Sequence, residues 1–346
     1  MPTFAPASLR SGRVSQPSRK AAPTNAGLMP NLRVLLALAL AAGALLPACG
    51  DQKEADNHPA RARLIDRDPD NAERPRLVLG SKGFTEQLVL VEIYSQALDA
   101  AGYRVRRGHE VLSERAGLAP LTSGEIDAYP EYTGTALDSL FGEDLEDLPK
   151  DPARAYTQAR AEFAREGLVA LPPTPFENSE GFAMLREAAQ NLGVTTLSGL
   201  EDHASSLVLS GPPECARRAD CLPGLERTYG LRFEDFLPVD ISARHQPLME
   251  ERADVGVVFT TDGEIRTENL TLLADDRRML PPDNVTLVVR EEALRAAGPG
   301  LRRVVAAVQR GLTLPVMQEL NSRVDLDGET PAAVAYGYLR EVGYVE

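Results

Sequence analysis

The sequence has few of the residues that build metal centres and catalytic sites. Its 346 residues include three cysteines, four histidines and no tryptophan. A zinc site built on one cysteine pair needs two further ligands, and none is suggested nearby because His203 stands alone. The motifs typical of serine hydrolases, zinc proteases, phosphate-binding loops and dinucleotide-binding folds are missing. The sequence therefore predicts no catalytic, metal or cofactor site, although an enzyme built from distant residues stays an alternative.

The apolar run at residues 34–46 is too short to cross a bilayer, which takes about 20 residues. Arg33 precedes it and Cys49 follows it in the sequence LPACG. This arrangement resembles a bacterial lipoprotein signal, which implies cleavage before Cys49 and lipidation of that cysteine. Residues 1–48 are then a signal region, with Met29 as an alternative start, and residues 49–75 are the lipidated cysteine and a flexible polar tether. The alternative is a mistranslated upstream region followed by a buried helix.

Acidic residues dominate the predicted mature chain. The formal charge is −14, but residues 1–48 hold five basic and no acidic residues, which leaves 32 basic against 51 acidic residues. Such a surface repels nucleic acid and anionic lipid. We therefore expect no nucleic-acid partner, and membrane attachment through the lipid anchor only. The prediction is an exported monomer, periplasmic or on the cell surface.

Cys215 and Cys221 are the two remaining cysteines if Cys49 is lipidated, and five residues separate them. An exported protein meets an oxidising compartment, so a local disulfide is expected. Loop-entropy reasoning gives such a disulfide about 2 kcal/mol of stabilisation.

Short apolar runs alternate with longer amphipathic stretches from residue 76 onward, which is typical of an α/β protein with largely parallel sheets. Three polar segments directly follow predicted strands, at residues 81–87, 130–135 and 260–263. Ligands of open parallel sheets bind beyond the carboxyl ends of the strands, so a site is expected where these segments converge. The predicted elements are strands at 76–80, 126–129, 206–209, 255–259 and 285–289, and helices at about 85–101, 151–166, 300–320 and 331–342.

Three motifs of the chain resemble those of the osmoprotectant receptors of ABC importers, the glycine betaine/choline-binding family. They are GSKGFTEQ at 80–87, SGEIDAYPEYTGT at 123–135 and FTTDG at 259–263. The resemblance implies a type 2 periplasmic binding-protein fold, in which two crossover strands join two α/β lobes that close over a ligand. Lobe 1 would comprise residues 76–180 and 285–346, and lobe 2 residues 181–284. Hinges are expected at 176–184 and 280–285.

The resemblance also implies a ligand, a site and a partner. The ligand would be a quaternary amine or a zwitterion, delivered to the ABC permease. A quaternary ammonium has no N–H, so aromatic faces would bind it by cation–π attraction. Tyr132 falls on a cage tyrosine, Lys82 and Thr135 on positions that grip a carboxylate. The expected ligand-binding residues are Lys82, Phe84, Tyr132, Thr135, Glu180, His245, Phe259 and Thr261.

Three of these positions depart from the family pattern. Glu180 or a neighbouring residue, and His245, stand where tyrosines are usual, and Phe259 keeps a π face without a hydroxyl. A different cation, zwitterion or amino acid is therefore the alternative ligand. Local pattern alone would place Phe259 in the core, Glu180 in solvent at a hinge, and His245 in a polar loop, where a nearby Glu180 would make it titrate close to neutral pH.

Overall fold

The computed structural model describes residues 64–112 and 118–346; the signal region, Cys49 and most of the tether lie outside them. The strands within these ranges are β1 Leu77–Lys82, β2 Val105–Leu112, β3 Ala128–Tyr132, β4 Leu168–Ala170, β5 Glu180–Leu185, β6 Val208–Gly211, β7 Asp235–Pro238, β8 Val255–Phe259, β9 Leu270–Leu273 and β10 Val285–Arg290. The helices are α1 Thr85–Ala100, α2 Ala119–Thr122, α3 Thr133–Thr135, α4 Pro152–Arg165, α5 Arg186–Leu192, α6 Leu222–Tyr229, α7 Gln246–Met249, α8 Glu264–Thr267, α9 Glu291–Ala297, α10 Pro299–Gln309, α11 Leu314–Asp325 and α12 Pro331–Glu341.

The strands form two five-stranded sheets built on the same plan, in the orders β2-β1-β3-β10-β4 and β7-β6-β8-β5-β9. In the first, β1 is parallel to β2 and β3, while β10 is antiparallel to β3 and β4. In the second, β6 is parallel to β7 and β8, while β5 is antiparallel to β8 and β9. Both antiparallel strands, β5 and β10, follow a crossover from the other sheet. The other four strands of each sheet run parallel to one another, which agrees with the prediction of largely parallel sheets.

Local sequence explains the helix that follows β1. α1 has no exposed residue and packs against the first sheet and its neighbouring helices, with Leu90, Ile93, Tyr94 and Leu98 fully inaccessible to solvent. The chain turns immediately after it at Gly102, whose φ of +96° favours glycine. A side chain there would also collide with the Asp68 carbonyl, because a Cβ would lie 2.6 Å from that oxygen. Both the backbone conformation and the close contact therefore require glycine at position 102, just after the predicted end of the helix.

Three predicted elements differ from the structure, and one of them is the strand expected at 206–209, which runs from Val208 to Gly211. The single helix expected at 300–320 is two helices, α10 and α11, because Pro315 suits the first turn of a new helix and cannot continue an old one. The strand expected at 126–129 runs from Ala128 to Tyr132 instead. Pro130 and Tyr132 therefore lie in the strand β3, not in a loop after it.

The two connections between the sheets run side by side. Glu177 forms an antiparallel bridge with Asn284, and the amide N–H of Asn178 donates to the Asp283 carbonyl at 3.1 Å. This pairing lies within the expected hinge ranges. Glu180 already belongs to β5 of the second sheet, one residue before the predicted boundary. The other lobe boundaries stay a prediction. Within the described ranges, no helix combines the length and apolarity needed to span a membrane.

Candidate functional site

A cleft of about 790 Å³ lies between the two sheets. Its walls come from the ends of β1 and β3 on one side, from the turn after β8 on the other, and from both crossovers. Seven of the eight expected ligand-binding residues line it: Lys82, Phe84, Tyr132, Thr135, Glu180, Phe259 and Thr261. His245 is not among the lining residues. Ligand contact by any of them stays a prediction.

Aromatic rings face the cleft from both lobes. Phe84 stacks on Tyr132 with ring centroids 6.1 Å apart, and it is 42% exposed. Phe259 approaches from the second sheet. Cations of the protein lie close to two of these rings: the Lys82 ammonium is 5.7 Å from the Tyr132 centroid, and the Arg244 guanidinium is 5.2 Å from that of Phe259. The rings therefore offer a cation-attracting surface that the protein itself partly occupies.

The two residues expected to grip a ligand carboxylate hold carboxylates of the protein. The Lys82 ammonium lies 2.8 Å from Oε1 of Glu131, which is fully buried. The Thr135 hydroxyl donates to Asp283 at 2.8 Å, and the Thr135 and Gly134 amides donate to the same carboxylate at 3.0 and 2.7 Å. Burial raises the pKa of Asp283 to about 7, although these donors oppose the rise. Lys82 and Thr135 therefore stabilise the walls of the cleft by binding these two carboxylates.

Glu86 anchors a network that joins four parts of the chain. Its Oε1 accepts from the Tyr132 hydroxyl at 2.8 Å and from the Asn178 amide at 3.2 Å. Its Oε2 accepts from the Asn321 amide, also at 3.2 Å. Burial raises the pKa of Glu86, and the surrounding donors lower it. The network ties α1 and β3 to the first crossover and to α11.

Glu180 contacts a second group of charged residues. The other members, Arg218 and Asp220, lie on the loop that Cys215 and Cys221 close with a disulfide. Nη1 of Arg218 lies 3.2 Å from Oε1 of Glu180, and Nε of Arg218 donates to Asp220 at 2.9 Å. Burial and the neighbouring Asp220 raise the pKa of Glu180 to about 7. The disulfide loop therefore brings both a cation and a carboxylate to the cleft.

His245 does not line the cleft and contacts Asp262 and Glu264 instead of Glu180, which corrects the expected environment. The ring is 8% exposed, with Nε2 2.9 Å from Asp262 and Nδ1 3.2 Å from Glu264. Burial lowers the pKa of His245, but the two carboxylates outweigh burial and raise it. Its neighbour Arg244 reaches the cleft instead and donates to Asp262 at 2.8 and 2.6 Å. His245, Asp262 and Glu264 are close enough to hold a metal ion, but Arg244 already neutralises Asp262.

Carboxylates outnumber cations in the cleft lining. The three basic residues are Lys82, Arg218 and Arg244, and each contacts a carboxylate. The seven acidic residues are Glu86, Asp138, Glu180, Asp220, Asp262, Asp283 and Asp325. Such a cleft attracts cations and disfavours net anions.

Sequence reasoning missed four lining residues that shape the site: Glu86, Asn178, Arg218 and Asn321. Glu86 lies within the motif at 80–87 and Asn178 within the expected hinge at 176–184, so their positions in the sequence were an available signal. No sequence signal pointed to Asn321, because it lies 235 residues from Glu86 in the sequence and contacts it only in the folded protein.

Comparison with known proteins identifies the family. Residues 75–341 match the model of the substrate-binding domain of ABC-type glycine betaine transport systems. A glycine-betaine-binding protein of Pseudomonas aeruginosa is 33% identical over 281 residues, covering 78% of this chain and 89% of that protein. A glycine betaine/carnitine/choline ABC transporter structure aligns with a TM-score of 0.72 at 24% identity, covering 78% of this chain and all of that one. Apo YehZ from Escherichia coli aligns with a TM-score of 0.68 at 26% identity, covering 78% and 99%.

These matches confirm the predicted resemblance and the two-lobed α/β fold. The chain belongs to the family of substrate-binding domains of ABC-type glycine betaine transport systems.

Proposed function

We propose that the chain is an extracytoplasmic receptor of an ABC importer that binds a small amine of the betaine and choline class between its lobes. The observation that carries this proposal is the cleft itself, where rings from both lobes stand among an excess of carboxylates. Aromatic faces and negative charge both attract an organic cation. The similar Pseudomonas aeruginosa protein, named for glycine betaine binding, supports the same class.

Binding would work by closure of the lobes on the solute, followed by presentation of the closed form to the permease. The lobes already touch across the cleft: the Gln318 amide donates to the Thr260 carbonyl at 2.7 Å, and the Asn321 amide donates to the Thr261 carbonyl at 2.9 Å. A solute that contacts both walls adds to these bonds only in the closed state, so it favours closure. The solute is released unchanged in this proposal, and the chain is a receptor and not an enzyme.

Calorimetry with glycine betaine, choline, carnitine and amino acids tests the receptor function. We expect stoichiometric binding without turnover of at least one amine. Phe84→Ala should weaken it by about 1–2 kcal/mol, roughly 5- to 30-fold, because a ring face is lost. The melting temperature of this variant should equal that of the wild type, since Phe84 is 42% exposed. Tyr336→Ala, another exposed ring at 47% but outside the lining, is the matched control. Absence of binding by every amine at millimolar concentration contradicts the proposal.

The membrane anchor is a separate part of the proposal and rests on Cys49, which lies outside the described residues. Lipidation there would tether the receptor, periplasmic or on the cell surface, beside its permease. Labelling with a radioactive fatty acid should mark the wild-type chain and spare Cys49→Ser, which should accumulate unprocessed or soluble. An unlabelled wild-type chain contradicts the anchor and leaves the receptor function untouched.

A further inference from the structure

Four charged side chains of the second lobe form a compact group at one wall of the cleft. They are Arg244, His245, Asp262 and Glu264. Arg244 and Asp262 line the cleft, whereas His245 and Glu264 are not among its lining residues. Nε2 of His245 lies 2.9 Å from Asp262, so one contact separates the ring from the cleft.

The contacts of the His245 ring require a proton on both of its nitrogens. Nε2 faces Oδ2 of Asp262 at 2.9 Å, and Nδ1 faces Oε1 of Glu264 at 3.2 Å. Burial raises the pKa of both carboxyls, but the His245 ring and other donors outweigh burial and lower it, so both are ionised and only accept hydrogen bonds. A neutral imidazole has one donor nitrogen and would turn a lone pair towards one of them. The ring is therefore an imidazolium, which has no lone pair for a metal ion.

Asp262 links this imidazolium to the lining of the cleft. Its two oxygens accept from Nε and Nη2 of Arg244 at 2.8 and 2.6 Å, and Oδ2 also accepts from the Phe259 amide at 2.9 Å. Such a two-bond pair fixes the orientation of the guanidinium. Arg244 is thereby held over the Phe259 ring, 5.2 Å from its centroid. His245 and the Phe259 amide in turn hold Asp262.

The imidazolium also decides the net charge of this wall. With it, the four side chains carry two positive and two negative charges and sum to zero. A neutral residue at position 245 would leave a net charge of −1 beside the cleft. Asp325, which lines the cleft from α11 in the opposite lobe, is near enough for burial and the charges of Glu264 and Asp262 to raise its pKa. The positive charge of His245 therefore offsets part of a local excess of carboxylates.

We propose, building on the amine-receptor function above, that His245 sets the ratio in which the cleft binds zwitterions and cations of the same amine class. Choline and glycine betaine both carry a quaternary ammonium, but only glycine betaine carries a carboxylate. Loss of a positive charge behind the wall strengthens the attraction for choline and weakens the attraction for a carboxylate. His245 is a positioning residue, because it acts through Asp262 and Arg244 without lining the cleft itself.

His245→Gln and Glu264→Gln test this inference, because they change the charge of the group in opposite directions and neither residue lines the cleft. Calorimetry with choline and glycine betaine measures the two affinities. The ratio of betaine to choline affinity should fall at least about fivefold in His245→Gln and rise in Glu264→Gln. The double variant should return the ratio to that of the wild type, because the group is again neutral. Damage to the wall alone would shift both single variants in the same direction.

His203→Gln is the matched control for the substitution. His203 is a half-buried histidine of the same lobe outside the cleft lining, so its loss should leave the ratio unchanged. An unchanged ratio in both His245→Gln and Glu264→Gln, or a shift in the same direction, overturns the inference and leaves the receptor function standing. Absence of binding of both solutes by the wild type overturns both. If His245→Gln does not fold, the direction of the shift in Glu264→Gln decides.

Nitrogen NMR of the histidine rings gives a second readout that does not depend on binding. The ring that is missing from the His245→Gln spectrum should carry a proton on both nitrogens at neutral pH in the wild type. An unprotonated nitrogen on that ring would show a neutral imidazole, and the inference would fail.

Discussion

Single side chains in the cleft stabilise the fold, and Lys82 shows this most clearly. Its ammonium is the cationic partner of Glu131, which is fully buried and also accepts from the Tyr129 hydroxyl and the Tyr132 amide, both at 2.8 Å. Removing one member of a buried ion pair leaves the other charge uncompensated. A binding defect in a Lys82 variant therefore has two possible origins, and stability distinguishes them.

Lys82→Ala should lower the free energy of unfolding by about 3 kcal/mol and weaken betaines and choline alike. Thermal melting and calorimetry measure the two effects. The double variant Lys82→Ala/Glu131→Gln is the control, because removing the orphaned charge should restore part of the stability. An unchanged melting temperature with selective loss of carboxylate-bearing solutes would instead show direct contact between Lys82 and the solute.

At the scale of elements, the disulfide loop positions part of the cleft. Cys215 and Cys221 close the segment that carries Arg218 and Asp220 to Glu180. The double variant Cys215→Ser/Cys221→Ser should lose about 2 kcal/mol of stability, because a short loop is released in the unfolded chain. Solute affinity should also fall, since Glu180 loses its fixed partner. Mass spectrometry of non-reduced peptides checks the bond itself, and two free thiols would refute it.

The contact between helices α8 and α11 is a second structural feature, and we expect it to affect closure of the lobes. Gly263, just before α8, has an ordinary φ of −62°, so alanine would fit its backbone. A Cβ there would lie 2.6 Å from Cα of Ser322 on α11, in the opposite lobe. Gly263→Ala should therefore hinder closure without local strain.

We expect Gly263→Ala to cost about 1–3 kcal/mol in the affinity for every solute, in line with the cost of overpacking. Small-angle X-ray scattering should show less compaction on solute addition than in the wild type. Gly199→Ala is the control, because its Cβ would meet no atom closer than 3.4 Å. Unaltered affinity in Gly263→Ala would show that the lobes close without this contact.

For the whole molecule, buried acidic groups link stability to pH. The pKa of Glu180 and of Asp283 is raised to about 7, chiefly by burial, and two carboxylates raise that of His245. Between about pH 5 and 7 the folded chain therefore binds more protons than the unfolded chain, so its stability falls as pH rises. On the proposal that the solute binds in the cleft beside Glu180, cation binding should have the opposite dependence, because an ionised carboxylate attracts a cation more strongly.

The melting temperature of the solute-free protein should accordingly fall by at least about 2 °C between pH 5 and pH 7.5, while the increase caused by a bound amine grows. Melting curves at both pH values, with and without solute, provide the measurement. The double variant Glu180→Gln/Asp283→Asn should flatten the dependence. A melting temperature that rises over this interval contradicts the assignment of these groups.

The sequence by itself determined what short-range physics controls. The apolar periodicity of α1, the uniform apolar run of β8 and the proline and glycine boundaries of helices are properties of neighbouring residues. The motifs at 80–87, 123–135 and 259–263 identified the family, and they hold ten of the 24 residues that line the cleft.

The tertiary structure decided which groups meet across the chain. Strands β5 and β10 run antiparallel to neighbouring strands of their sheets, and each follows a crossover from the other lobe, which no local pattern encodes. Lys82 meets Glu131, and His245 meets Asp262 instead of Glu180. Asn321 reaches Glu86 from 235 residues away. Hydrogen bonds and burial depend on these meetings, so the roles of the cleft residues follow from the path of the chain and not from the residue types alone.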